Sequence, residues 1–210
     1  MGFKQPWSFK KYWDFCFEEK DTPWDLGAPA PSLISLEKKL LLPNESTVIV
    51  PGCGYGHDAL YWARLKYQVS AVDWCQSAIE ELRIKGRREE LELEALCDSV
   101  WNIPQSWDHT FDLYLEYTFF CAIDPEDRII YLQNVCRLLK QGGLLAGVFF
   151  VDEQYASKSL KDNHGPPFGS SESQIRELFA KDFDCVFLEP CPDAHPKRRS
   201  IEWWACFKKK

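Results

Sequence analysis

The sequence predicts an α/β fold: a doubly wound, Rossmann-like sheet, mostly parallel, with an antiparallel last strand. Three observations point there. Val48, Ile49 and Val50 form a short, charge-free β-branched run, as a strand buried on both faces requires, and a glycine-rich turn follows at once. Further apolar runs at 69–72, 111–116 and 144–151 alternate with helix-like stretches, the pattern of βαβ units. Two last strand-like runs, 183–188 and 201–207, are joined by a proline-rich connection without a helix, which makes them a hairpin-like pair. With 210 residues and no break in composition, the chain reads as one domain: residues 1–42 an N-terminal lid and helix, residues 43–210 the core.

Phe9 to Glu19 places Phe9, Tyr12, Trp13, Phe15, Cys16 and Phe17 near helical spacing, and Asp21-Thr22-Pro23 ends that helix. Trp24-Asp25-Leu26-Gly27 with Pro29 and Pro31 is an irregular aromatic segment. Ser32 is expected to cap a helix whose buried stripe is Leu33, Leu36, Leu40 and Leu41. Trp13 and Trp24 either fill core or fold over a ligand as a lid, with a ring beside a cation.

After the first strand, Gly52, Gly54 and Gly56 alternate in Pro51-Gly52-Cys53-Gly54-Tyr55-Gly56, so the backbone is free to take positive φ and lie bare against a ligand. His57 to Leu65 reads as a helix whose first N–H groups face that ligand. The second strand, 69–72, ends in Asp73, where two hydrogen bonds grip a ribose diol. This is a nucleoside-binding unit. A dinucleotide fingerprint needs a glycine where His57 stands, so the pattern is Gly-x-Gly-x-Gly.

A helix over 77–87 leads to a third strand over 91–96, ended by Cys97-Asp98-Ser99-Val100-Trp101. Asp98 either caps a turn or accepts from an adenine amino group. The fourth strand, 111–116, runs into Tyr117-Thr118-Phe119-Phe120-Cys121-Ala122, and Glu116 and Tyr117 should border a reacting centre at its carboxyl end. Asp124-Pro125-Glu126 opens a helix to Leu139, Gln141-Gly142-Gly143 closes it, and 144–151 is the fifth strand. Asp152 to Phe168 reads as a long polar loop, a lid, ending His164-Gly165-Pro166-Pro167-Phe168. Ser171 and Gln174 make a capping box for a helix to Ala180.

Composition narrows the partners. A net charge of −7 argues against nucleic acid and anionic membranes. No apolar run approaches membrane-spanning length, and the polar, aromatic start is no signal peptide. Nine cysteines, an odd count without any Cys-x-x-Cys, fit reduced thiols in the cytoplasm better than a disulfide framework, and four scattered histidines give no metal site. A monomer is expected.

These residues resemble the thiopurine S-methyltransferase superfamily, in particular its thiol and halide (thiocyanate) methyltransferase branch. The matching segments are Thr22-Pro23-Trp24-Asp25 with Gly27, Val50-Pro51-Gly52-Cys53-Gly54-Tyr55-Gly56-His57-Asp58, Tyr117 to Glu126, and Gly165-Pro166-Pro167-Phe168. The resemblance implies a methyltransferase sheet binding S-adenosylmethionine (AdoMet) through Trp13, Trp24, Gly52, Cys53, Gly54, Gly56, Asp73 with Trp74, Asp98 with Ser99 and Val100, and Glu116. It also departs from the branch: Glu116 replaces an aspartate, Trp74-Cys75 an aliphatic–serine pair, and Gly169-Ser170-Ser171 an apolar continuation.

The expected reaction is in-line transfer of the methyl group to a small soft nucleophile: a thiol, hydrosulfide, thiocyanate or halide. A sulfonium is a good leaving group, so alignment matters more than deprotonation. Tyr117 is the candidate catalytic residue, orienting or deprotonating a thiol. Phe119, Phe120, Pro166 and Phe168 form the expected substrate pocket. A metalloid or other small acceptor, or a non-catalytic AdoMet-binding interaction protein, are the alternatives.

Overall fold

The computed structural model describes residues 10–162 and 165–210. The expected positions of Phe9 and His164 lie outside them. Seven strands form one sheet in the order β3-β2-β1-β4-β5-β7-β6. The central strands β1 (Thr47–Pro51), β2 (Gln68–Asp73), β4 (Phe111–Tyr117) and β5 (Leu139–Phe150), with β3 (Glu94–Cys97) at the edge, are parallel. β7 (Glu202–Lys209) runs antiparallel to β5 and to β6 (Phe183–Pro190). Strand order reverses between β1 and β4, which opens a crevice at their carboxyl ends.

Helices cover both faces because the parallel strands are apolar on both. On one face α2 (Pro31–Leu40), α3 (His57–Arg64) and α4 (Gln76–Arg88) bury Leu33, Leu36, Leu60, Trp62, Ile79 and Leu82 against the sheet. On the other, α5 (Arg128–Leu138) and α7 (Glu172–Phe179) bury Tyr131, Val135, Leu138, Ile175 and Phe179. A third, smaller cluster joins Phe17 of α1 (Lys10–Glu18) to Cys75 and Ala78, with Trp13, Trp24, Tyr55 and Trp74 packed on it. That aromatic layer sits over the crevice.

Four boundaries differ from expectation. Ser32 does not cap α2: Ala30 precedes the helix, Pro31 opens it, and Asp58 accepts the Ala30 N–H at 2.8 Å. β3 starts at Glu94 rather than Leu91, because the Leu91 N–H closes α4 by donating to the Gly86 carbonyl. Pro125–Asp127 is a 3₁₀ turn, α5 begins at Arg128, and β5 follows directly, so Gln141-Gly142-Gly143 lies inside the strand. There the pairing with β4 shifts register, and a side chain on Gly143 would meet the Phe111 carbonyl at 3.1 Å. Finally, the polar loop after Asp152 holds a helix, α6 (Glu153–Asp162), whose start Asp152 caps by accepting from the Tyr155 N–H. The Ser171–Gln174 capping box forms as expected.

Candidate active site

A cavity of about 1190 Å³ opens at the carboxyl ends of β1, β2, β3 and β4. It is large for a single small ligand, whose pockets run to about 300–1,000 Å³. Its floor is the turn after β1. Gly52 and Gly54 have φ of +56° and +51°, and a side chain on Gly52 would fall 2.3 Å from the Phe119 ring. The Cys53 N–H donates to the Val72 carbonyl, tying the turn to β2. Asp73 completes the tie: Oδ2 accepts from the Gly54 N–H and Oδ1 from the Cys75 N–H, both at 2.9 Å. Burial raises its pKa, and the two N–H donors act against that rise.

Gly56 stands just behind that floor. With φ +76° it precedes α3, and a side chain there would strike Leu82 at 2.3 Å. It does not itself line the cavity. Its smallness lets α3 and α4 approach, a packing constraint that is present without any ligand.

Trp13, Trp24, Trp74, Asp98, Ser99 and Val100 all line the cavity. Trp13 and Trp24 meet edge to face at 5.3 Å, and Phe17 bridges Trp24 to Tyr55. Asp98 Oδ1 accepts from the Ser99 N–H and from Asn102 Nδ2. A concave site with carboxylates ending β2 and β3, bare turn backbone below and tryptophans at the side fits a nucleoside that bears a cation.

The other end of the cavity is built by the turn after β4. Thr118 has φ +57°, a left-handed conformation rare for a β-branched residue, and it directs the chain so that Phe119 and Phe120 turn back. Glu116 fixes that turn: Oε1 accepts from the Phe119 and Phe120 N–H groups at 2.9 and 2.7 Å, and Oε2 accepts from Tyr131 Oη at 2.9 Å. Both its oxygens have internal donors, so Glu116 borders the cavity as a brace of that turn. Burial pushes its pKa up to about 7, against those three donors.

Tyr117 lines the cavity, held from two sides: its hydroxyl donates to Glu202 Oε1 at 3.0 Å and accepts from Arg198 Nη1 at 2.7 Å. Burial and then the Glu202 carboxylate push its phenol far up, so it does not ionise near neutral pH. Phe119, Phe120 and Pro166 line the cavity too. Phe168 does not: it is fully buried behind the wall, its N–H donating to the Cys121 carbonyl at 2.6 Å.

Sequence reasoning missed Arg198, Glu202 and Asp58. Arg198 sits on a 3₁₀ turn (Pro196–Arg198) in the connection between β6 and β7, and Nη2 donates to the Pro23 and Trp24 carbonyls. Asp58 lines the same wall, and burial pushes it up to about 6. One signal was available for Glu202: an acid directly ahead of the apolar run Trp203 to Phe207 is out of place unless buried for a reason. Of Trp203 and Trp204, the latter turns inward, donating to the Ser32 carbonyl at 2.9 Å.

The chain is similar to known proteins in sequence and in fold. The family model "Thiopurine S-methyltransferase (TPMT)" matches residues 9–207. Thiocyanate methyltransferase 1 of Arabidopsis thaliana is 31% identical over 202 residues, covering 94% of this chain and 84% of its own. Thiopurine S-methyltransferase of Vibrio cholerae is 26% identical, covering 81% of each chain. The crystal structure of Burkholderia thailandensis 1,6-didemethyltoxoflavin-N1-methyltransferase with bound S-adenosylhomocysteine superposes with a TM-score of 0.75 at 19% identity, covering 100% of this chain and 92% of that one. The chain is therefore a member of the thiopurine S-methyltransferase family, on its thiol and thiocyanate branch, and an AdoMet-dependent methyltransferase.

Proposed function

We propose that this enzyme methylates thiols and hydrosulfide in preference to thiocyanate or halide ions. The observation behind this reading is the charge around the cavity: among the described residues nine aspartates and glutamates line it, of which burial holds Glu116 and Asp58 toward the neutral form, against one arginine and no lysine. Such a field draws in a sulfonium and opposes free anions, whereas a neutral thiol enters without that penalty. Asp73, Asp98 and the tryptophans Trp13, Trp24 and Trp74 would hold the cofactor, which supplies a methyl group already activated on positive sulfur. Phe119 and Phe120 keep the acceptor's path dry, and Tyr117 points a hydroxyl at it. A cytoplasmic location belongs to the same reading and rests on the nine free thiols. No helix among the described residues is long and apolar enough to cross a membrane.

The test is direct. Purified protein is incubated with methyl-labelled AdoMet and a panel of alkyl thiols, hydrosulfide, thiocyanate and iodide, and the methylated products are identified. The expected order of kcat/KM puts thiols and hydrosulfide first. Iodide or thiocyanate leading the series would reject the charge argument while leaving methyl transfer intact.

A further inference from the structure

One carboxylate at the acceptor end of the cavity is only half used. Glu202 opens β7 opposite Phe150 of β5, is 4% exposed, and lines the cavity. Oε1 accepts from Tyr117 and lies 3.6 Å from Arg198 Nη1. Oε2 is buried and has no hydrogen-bond partner among the described residues. A buried carboxylate oxygen without a donor is costly, and a proton arriving on the carboxyl group removes that cost. The charged and titratable groups around it are Tyr117 from β4, Arg198 from the 3₁₀ turn, Asp58 from α3 and Cys191 beyond β6. Only Arg198 is cationic, and it shares its donors with Tyr117 and two lid carbonyls.

Tyr117 connects this carboxylate to the cavity. Its single proton goes to Glu202, and its oxygen accepts from Arg198, which leaves one lone pair for a donor in the cavity. A phenol that does not ionise still passes a proton if it gives up its own in the same event. Resting on the thiol reading above, we propose that Glu202 is the final proton acceptor during thiol methylation, reached through the Tyr117 hydroxyl. The acceptor sulfur forms its bond to the methyl carbon as the carbon–sulfonium bond breaks, and that electron pair stays on the departing thioether sulfur. The acceptor's S–H proton passes to Tyr117 Oη while the Tyr117 proton passes to Glu202 Oε1. Glu202 is then neutral and releases the proton to solvent after the product leaves.

The experiment compares wild type with Glu202→Gln, which keeps the side chain's size and an oxygen at the Oε1 position. Two acceptors are used from pH 6 to 9: a cysteine-like alkyl thiol, with a pKa of about 8.5, and an electron-poor aryl thiol already ionised across that range. Wild type should methylate the alkyl thiol at a rate nearly flat with pH. Glu202→Gln should lose about a hundredfold on it at neutral pH and then climb about tenfold per pH unit toward the thiol's own pKa, following thiolate fraction. The aryl thiolate should lose at least about ten times less, since it has no proton to give. Tyr117→Phe should show the same pH signature, which covers the case in which Glu202→Gln folds poorly. Calorimetric binding of S-adenosylhomocysteine confirms an intact site in each variant. Equal losses on both acceptors at every pH, or a wild-type rate that already climbs with pH, would overturn the relay. A wild type that methylates thiocyanate and no thiol would instead overturn the acceptor reading, and the relay with it.

Discussion

Glu116 shows how one residue's environment sets a property of the whole site. Its carboxylate holds the turn that presents Phe119 and Phe120, yet burial lifts its pKa from 4.5 to about 7. Between those values the folded chain binds more protons at this position than the unfolded chain, so the contribution to stability is full below pH 4.5 and is lost as pH rises through 7. Asp58 acts in the same direction but is finished by about pH 6. His57, lowered by burial, pulls the opposite way only below its ordinary 6.5. Across pH 6.5 to 7.5 the Glu116 contribution is on the order of 1 kcal/mol at most. Glutamine at this position keeps an oxygen for the two N–H groups and an amide toward Tyr131. Thermal melts of Glu116→Gln should be flat across that interval where wild type declines by about 2–4 °C. A decline of the same size in both proteins would place the titrating group elsewhere.

At the level of elements, the connection from β6 to β7 works as a strap. Arg198 reaches from its 3₁₀ turn to the Pro23 and Trp24 carbonyls of the aromatic segment and to Tyr117 at the end of β4. Three parts of the chain, some 175 residues apart in sequence at the widest, are fixed by one planar guanidinium. Lysine has no such fork. Arg198→Lys should leave the sheet intact but loosen the tryptophan layer, seen as faster proteolysis between Asp21 and Gly27 and a changed tryptophan emission. Unchanged proteolysis would mean that the Trp13–Trp24–Phe17 contacts hold the segment unaided. Local pattern could not reveal this strap, because the connection has no periodicity and its partners are distant. The same limit explains the misplaced Ser32 cap, whereas the helix after Asp152 was missed because its polar sequence reads as a loop, although Asp152 caps it locally. Capping chemistry was read correctly where both partners lie within one turn, as at Ser171 and Gln174, and failed where Asp58 supplied the acceptor from another helix.

For the molecule as a whole, topology was legible because it rests on continuous apolar runs, and the cavity lining at the ends of β1, β2 and β3 because those residues sit at strand ends in sequence order. The acceptor end was not, since its polar groups come from β4, a 3₁₀ turn and β7. Gly56 and Phe168 show a related limit: a motif marks positions under constraint without saying whether ligand or packing imposes it. Asp73 is the place where both constraints meet, since it ties β2 to the glycine turn and lines the cavity. Asp73→Asn keeps one oxygen for those N–H groups but loses the charge. Its effect on the fold and on binding is separated by measuring not Tm but its rise with ligand. A ligand at a hundred times its Kd stabilises by about 2.7 kcal/mol, so S-adenosylhomocysteine should raise the wild-type Tm by about 5–10 °C. If Asp73 grips the ribose with a charge-assisted bond of about 1.5–3 kcal/mol, the variant should show most of that rise abolished at the same ligand concentration. A variant whose melting point starts lower yet climbs as far as wild type would show that Asp73 serves the turn alone, and the ribose would have to be held by another group at the ends of β2 and β3.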